Sequence, residues 1–448
     1  MTPDELADRL QDLLRRELGD PDLAVGGLRR LTGGASRETW AFEAAGERYV
    51  LQRERGGSPR TGAMDTEAAL LRAAATAGVP VAALVHADGS GSTLGAGHLI
   101  AAFIEGETIA RKILRDDEYA RARERLAGDC GRALAAVHSI PTDAVPGLTR
   151  TDQVAQYREV LDGFGDPHPT FEHAFRWLEA NRPDATGEAL VHGDFRLGNL
   201  MVGPDGLEAV VDWELAHLGD PMEDLGWLCT RAWRFGADAP VGGFGSYEQL
   251  FDAYAEASGR PVERDVVRWW EVLGTLKWGI MCIMQARAHL EGLSRSMELA
   301  AIGRRVCENE HDLLLLLEPD ALAAAVARST PTGGGQAGLH GRPTAAELLE
   351  AVREWVAGDV RETASGRVGF HSRVAENVLA TLERQVTMGP AMEADHGARL
   401  ASLGVGDDHA FAAGVRDGSL SGPEVVRAMA ESVVDKLRVA NPRWFTQP

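Results

Sequence analysis

Lysine is scarce: Lys112, Lys277 and Lys436 are the three among 448 residues. None stands in a GxxxxGK[ST] string, so the P-loop route to cradling nucleotide phosphates is excluded on its defining residue. Positive charge is short overall. Against 67 Asp and Glu there are 46 Lys and Arg, a net charge of −21. A broad face neutralising nucleic acid or an anionic bilayer is therefore not expected, and any phosphate site must be local. Cysteine is limited to Cys130, Cys229, Cys282 and Cys307, far apart and without a CxxC pair. That argues against a disulfide scaffold or structural zinc and for a reducing compartment. No apolar run reaches the ~20 residues of a membrane helix. The acidic opening Met1-Thr2-Pro3-Asp4-Glu5 is unlike the basic start of a secretory signal. The expectation is a cytoplasmic protein that binds neither nucleic acid nor membrane. What is present, 44% hydrophobic and 25% charged residues, is ordinary for a folded chain and excludes bulk disorder.

Periodicity divides the chain. Leu6, Leu10, Leu13 and Leu14 predict an amphipathic helix near the start. Strands are predicted over Leu28–Leu31, Glu38–Glu43 and Arg48–Arg53, the last two joined by an Ala45-Gly46 turn. A helix over Asp65–Ala77 and strands around Ala83–Ala87 and His98–Ile104 complete the first part. After Gly106 the pattern is helical, with a long helix over Tyr119–Ile140, interrupted by a strand-turn-strand over Leu190–Asp212. Ser329 to Gln336 is Gly/Pro/polar-rich and reads as a linker. Beyond it, Thr344 to Glu347 has capping-box form, with Leu348, Leu349, Val352 and Val356 on one helix face. The expected organisation is 1–106 as a strand-rich lobe, 107–328 as a helical lobe carrying the hairpin, 329–342 as a linker, and 343–448 as a small helical domain.

Chemistry concentrates in His192-Gly193-Asp194-Phe195-Arg196-Leu197-Gly198-Asn199, followed by Gly203-Pro204-Asp205-Gly206 and Val210-Val211-Asp212-Trp213-Glu214. Pro-Asp-Gly between apolar runs is a hairpin turn, and folding the second run back brings Asp212 alongside Asn199. One carboxylate, Asp194, is then free for a hydroxyl. An amide oxygen and a second carboxylate, Asn199 and Asp212, can hold a hard cation such as Mg²⁺ beside phosphates. Phosphoryl transfer asks for this set, because it is catalysed by positioning and charge neutralisation. A hairpin with merely solvated carboxylates is the plainer alternative; the joint string disfavours it. His192 reads as a loop brace. Asp220 reads as an N-cap, with Pro221 at the first helical position and Glu223 box-like.

These strings, HGDFRLGN at 192–199, VVDWE at 210–214 and GDPMEDL at 219–225, with LTGGAS at 31–36 and Glu67 on a helix, resemble the aminoglycoside phosphotransferase superfamily over roughly residues 20–320. The resemblance implies an α+β, bilobal protein-kinase-like fold with an antiparallel-sheet N-lobe and a helical C-lobe, here followed by a small all-α domain. It also implies ATP and Mg²⁺ as cofactors. Asp194 becomes the catalytic carboxylate, Asn199 and Asp212 the metal ligands, and His192, Asp220 and Asp224 loop supports. Gly33, Gly34 and Ser36 would lie over the nucleotide phosphates, and Phe103 and Ile104 beside the base. Kinase-like folds usually set a lysine on the third strand, paired with the helix glutamate. Here Val50-Leu51-Gln52-Arg53 has none. Gln52 falls at that position, and Arg53 or Arg55 is expected to supply the charge, with Glu67 as partner.

For the acceptor, Arg196, Arg231 and Arg234 with Trp233 suit a ligand bearing phosphates or carboxylates better than a polyamine sugar. The stripe Trp269, Trp270, Leu273, Lys277, Trp278 reads as core. Arginines, tryptophan and the phosphotransferase core together resemble the branch fused to, or encoded beside, acyl-CoA dehydrogenases. That implies a kinase of hydroxyacyl-CoA substrates, associated with acyl-CoA-metabolising enzymes, with residues 343–448 resembling a small protein that accompanies such kinases. An aminoglycoside or amino-alcohol kinase, and a nucleotide-binding pseudokinase or scaffold, are the alternatives.

Overall fold

The computed structural model describes residues 1–31, 37–54, 63–329 and 342–446. In chain order its elements are α1 (Pro3–Leu18), β1 (Val25–Arg30), β2 (Arg37–Ala44), β3 (Glu47–Glu54), α2 (Ala63–Thr76), β4 (Leu84–Asp88) and β5 (His98–Ala102). Then follow α3 (Ala110–Arg115), α4 (Ala120–Val137), α5 (Gln153–Phe164), α6 (Pro169–Ala180), β6 (Ala189–Val191), β7 (Leu200–Gly203), β8 (Gly206–Val210) and β9 (His217–Gly219). The remainder is helical: α7 (Met222–Cys229), α8 (Tyr247–Ser258), α9 (Arg264–Leu290), α10 (Met297–Ile302), α11 (Val306–Leu317) and α12 (Pro319–Val326), then α13 (Ala345–Trp355), α14 (Arg361–Thr363), α15 (Gly366–Ser402), α16 (Asp408–Asp417) and α17 (Pro423–Ala440). An antiparallel N-terminal sheet and a largely helical remainder make the α+β, kinase-like class expected from the resemblance. Among the described residues no helix is long and apolar enough to cross a membrane, and all four cysteines are free and buried.

The chain divides into two compact units, residues 1–151 with 184–270, and residues 152–183 with 271–448. In the first, the sheet order is β1-β2-β3-β5-β4, every neighbouring pair antiparallel. The β2–β3 turn takes Ala45 (φ 51°) and Gly46 (φ 80°) through the left-handed region, a twist that suits a two-residue hairpin. Period two then assigns the faces. Phe42, Tyr49, Leu51 and Ile100 are buried with Leu6, Leu10, Leu13 and Leu14 of α1, a helix started by a Thr2–Glu5 capping box. Leu99 and Ala101, on the opposite face, are buried with Met64, Leu70 and Ala74 of α2. Strand β5 stops at Ala102, two residues before the expected Ile104. The connection beyond it forms a two-way bridge: Glu107 and Val202 each donate an N–H to the other's carbonyl, at 2.9 and 3.0 Å.

The second unit is all helix. Leu314, Leu322 and Ala325 of α11 and α12 are buried with Ala430, Val433 and Val434 of α17. Arg416 of α16 pairs with Glu172 of α6 at 2.9 Å. The predicted capping box at Thr344 is present, but the apolar face it starts is not core: Leu348 and Val352 are 54% and 47% exposed, and Val356 is the buried member. Of the expected linker, residues 330–341 lie outside the described residues.

Candidate active site

The catalytic-loop string lies between β6 and β7 in the first unit. Gly193 turns it at φ 78°, and a Cβ there would strike the Leu215 carbonyl, so the position demands glycine. The buried Asp224 carboxylate of α7 accepts from the His192 N–H at 2.7 Å and the Gly193 N–H at 2.9 Å. His138, the C-cap of α4, contacts the same carboxylate at 3.1 Å and the Tyr254 hydroxyl at 2.9 Å. Burial pushes the Asp224 carboxyl up, but these hydrogen bonds and the His138 charge bring it below the usual carboxylate range. His192 is buried, which pulls its ring below the ordinary histidine value despite Asp224. Its Nε2 meets the Val211 carbonyl at 3.1 Å, so it joins the catalytic loop to the end of the hairpin. Asp220 accepts from Thr186 (N–H 2.8 Å, Oγ1 2.6 Å) and from the Met222 N–H at 2.9 Å. Helix α7 starts at Met222, one residue later than expected, with Pro221 as cap. Glu223 closes no capping box there; its carboxylate contacts His217 at 3.1 Å.

Asp194 is held on both oxygens. Oδ1 accepts from Arg196 Nε at 2.9 Å and from Trp227 Nε1 at 2.8 Å, while Oδ2 accepts from Asn199 Nδ2 at 2.6 Å. Asn199 Nδ2 also donates to the Asp194 carbonyl at 3.0 Å. With the nitrogen of the amide occupied twice, its oxygen is the atom left for a cation. The hairpin β7–β8 pairs Leu200 with Val210, and the Val211 N–H donates to the Asn199 carbonyl at 3.0 Å, so Asp212 comes next to Asn199. Asp212 sits at φ 65°, a left-handed conformation uncommon outside glycine, of the kind that collects at functional sites. Its carboxyl is pushed up, first by loss of surrounding water, then by Glu214 and Asp194. Asp212 with Asp194 and Glu214 near it, and an amide oxygen beside them, fits a hard cation bound through few protein ligands and phosphates. No group of three or more His, Cys, Asp or Glu suited to a metal occurs among the described residues.

The helix glutamate does not meet its expected partner. Arg53 lies on the α1 side of the sheet, donating from Nε to the Leu94 carbonyl at 3.1 Å and pairing with Glu38 at 3.4 Å. Period two separates it from Gln52, and the α2 face carries Gln52 instead. Glu67 forms an ion pair with Arg37 of β2, a residue that motif reading passed over. Arg37 Nη1 also donates to Gln52 Oε1 at 3.3 Å, and Nη2 is 4.0 Å from Glu214. Counting register outward from the Ala45-Gly46 turn, Thr39 opposite Gln52 and Arg37 opposite Glu54, is the sequence signal that finds it. Trp227 was likewise missed; it stands three residues after Asp224 on the helix the GDPMEDL string begins.

Of the remaining expected residues, Gly33, Gly34 and Ser36, and the alternative Arg55, lie outside the described residues. Phe103 follows β5, its N–H donating to the Arg48 carbonyl at 2.9 Å and its ring lying 4.4 Å from the Arg48 guanidinium. Ile104 is half-buried beside it. Arg196 stacks on the Trp233 ring at 4.7 Å, and Trp233 packs on Trp227 with ring centres 5.1 Å apart. Arg234 donates to the Cys229 carbonyl at 3.0 Å, on the short helical turn that also holds Arg231. Trp269, Leu273, Lys277 and Trp278 are buried.

Residues 27–270 match the phosphotransferase enzyme family. The chain belongs to that family. The matched stretch contains the loop, the hairpin and strands β2 to β9 described above. Residues 362–444 separately match a domain of unknown function, DUF6285. The phosphotransferase is 29% identical over 238 residues to mouse acyl-CoA dehydrogenase family member 10, covering 50% of this chain and 22% of that protein. It is 25% identical over 398 residues to chicken acyl-CoA dehydrogenase family member 11, covering 82% of this chain and 46% of the relative. The chain thus spans under half the length of either relative. A crystal structure from Ralstonia eutropha JMP134, assigned to the aminoglycoside phosphotransferases, shares the fold at a TM-score of 0.57 and 20% identity, covering 70% of this chain and 98% of that one.

Proposed function

We propose that the phosphotransferase uses ATP and Mg²⁺ to phosphorylate the hydroxyl of a hydroxyacyl-CoA. The observation that carries the reading is the Asp194–Asn199–Asp212 arrangement, a fixed carboxylate beside an amide oxygen and a second, crowded carboxylate. Asp194 receives the proton of the acceptor hydroxyl. Arg196 and Trp227 fix Oδ1, and Oδ2, with one protein donor, has room for the incoming group. As the proton moves, the hydroxyl oxygen bonds to the γ-phosphorus and the bond to the ADP oxygen breaks, which balances the transfer. Asn199 Oδ1 and Asp212 would hold Mg²⁺, which supplies charge neutralisation for the phosphates. Phe103 and Ile104, beside the bridge at Glu107, would border the base. Asp224, His138 and His192 act before substrate arrives, by fixing the loop.

Two observations support an acyl-CoA as acceptor: the names of the curated relatives, and Arg231 and Arg234 on the turn that carries Trp233, beside Trp227 and Asp194. Guanidinium groups suit the phosphates of a coenzyme better than the amines of an aminoglycoside. On the same grounds an acyl-CoA-metabolising enzyme is the partner that would use the product. The test is a phosphate-transfer assay with ATP and Mg²⁺ across 4-hydroxyacyl-CoA chain lengths, aminoglycosides and choline, with product mass as readout. Mass gain of one phosphoryl group on an acyl-CoA is the expected result. Transfer confined to aminoglycosides or choline would replace the acceptor, and ATP binding without transfer to any of them would favour a pseudokinase.

A further inference from the structure

The third strand lacks the lysine on which kinase-like sites rely, and Lys112 lies elsewhere, paired with Glu107 at 2.7 Å. Arg48 pairs with Glu105, and Arg53 is turned to the α1 face. We infer that Arg37, reaching from the neighbouring strand β2, supplies the phosphate-facing cation that β3 does not, and that Gln52 serves to hold it. The inference rests on the kinase reading above and deepens it.

Four features of the site converge on Arg37. It lies on the α2 face of the sheet, diagonal to Gln52, where cross-strand side chains come within reach of one another. Its guanidinium pairs with Glu67 of α2, itself 6% exposed. From there Nη2 lies 4.0 Å from Glu214, two residues past Asp212, so the guanidinium stands between the helix glutamate and the strand end that closes the proposed metal site. Gln52 accepts from Nη1 at 3.3 Å, an interaction a lysine at position 52 could not offer.

A fork of donors also differs from an ammonium in what it can do. One edge can remain on Glu67 while other N–H groups face a phosphate oxygen, and planar geometry favours two-pronged contact with phosphate. Moving the cation from β3 to β2 therefore preserves the link between helix and phosphates while changing its geometry.

A purely structural Arg37 would do no more than fasten α2 to the sheet, and the two roles separate on the number of phosphates in the ligand. Titration calorimetry with the full chain compares ATP–Mg²⁺ with adenosine for wild type, Arg37→Gln and the double variant Arg37→Gln/Gln52→Lys. A lost charge-assisted phosphate contact weakens ATP about tenfold or more, leaves adenosine within about twofold, and is largely restored by the relocated lysine. Equal weakening of ATP and adenosine, or unchanged ATP affinity in Arg37→Gln, would overturn the inference. Arg37→Lys covers a glutamine variant that does not fold: retained charge should keep ATP affinity within about fivefold while adenosine affinity stays put, and parallel loss of both would count against the role. Because no acceptor is present, a wild-type chain that binds ATP yet phosphorylates no acyl-CoA removes the acceptor assignment alone and leaves this comparison standing.

Discussion

Two clusters of charge, one in each unit, use similar residues to opposite ends. In the first unit Asp194, Asp212, Glu214 and Glu67 share Arg37 and Arg196, and the carboxylates outnumber the cations. Glu67 is raised above its ordinary value by burial in spite of Arg37, and Asp212 is raised too. In the second unit Glu310, 1% exposed, meets His168 at 3.1 Å and Lys436 at 3.3 Å. Burial pushes its carboxyl up, yet Lys436 and His168 more than compensate and bring it down to about 2. Neighbouring His396 joins Ser432 and Asp408, each at 3.1 Å. The balanced cluster has its partners built in. The unbalanced one is poised for charge to arrive from outside. Surplus of one sign next to a left-handed Asp, more than the number of ionisable groups, sets the proposed site apart from the other cluster.

The largest expected contrast comes from Asp194→Asn. Turnover measured as ADP release should fall by about 10²–10⁴-fold while the thermal midpoint stays near wild type. A comparable fall in stability would place Asp194 with the balanced cluster. Next is Glu310→Ala, which strands His168 and Lys436 and should cost about 2–3 kcal/mol by urea denaturation, with little effect on the ATP affinity of the folded protein. Its pH signature has a definite sign. A depressed folded value means the stabilisation is complete above the unfolded 4.5 and drains away as pH falls toward 2. Asp212→Asn should do the reverse in the metal-free protein. A raised folded value means the charge costs stability above that value and costs nothing below the unfolded 3.8. The variant should gain a few tenths of a kcal/mol near neutral pH, small because Asp212 keeps part of its surface in solvent, and lose that gain as pH drops. It should also lose Mg²⁺-dependent turnover. The smallest effect belongs to Arg53→Gln: ATP affinity by calorimetry should move less than about twofold, since its guanidinium faces α1. A tenfold loss would return the phosphate role to β3.

How much of this the sequence disclosed follows from how far apart the participants are. The loop and hairpin, Asp194, Asn199 and Asp212, are joined by a turn whose residues announce it, so eighteen or so positions of text hold the geometry. Asp224 was placed near the loop only by the family resemblance, whereas Asp220 was legible as a local helix cap. Arg37 was not, because its partners lie across a strand register, on the next helix and beyond the hairpin; period two alone says Gln52 and Arg53 diverge but not which residue fills the gap. The Glu310 cluster was invisible, since His168, Glu310, His396, Asp408 and Lys436 come from four helices and a loop. The exposed Leu348 and Val352 show the opposite error, a correct helical period without a core to receive it.

The reciprocal bridge between Glu107 and Val202 has a mechanical corollary. Val202 lies three residues after Asn199, the residue that leads into β7, and a Cβ on Gly106 beside it would sit 2.7 Å from Met201 Cγ. The chain leaving the five-stranded sheet is therefore clipped to the very ribbon that presents Asn199 and Asp212. A displacement of that sheet would therefore be passed to the ribbon at a point three residues from Asn199, next to the proposed metal site.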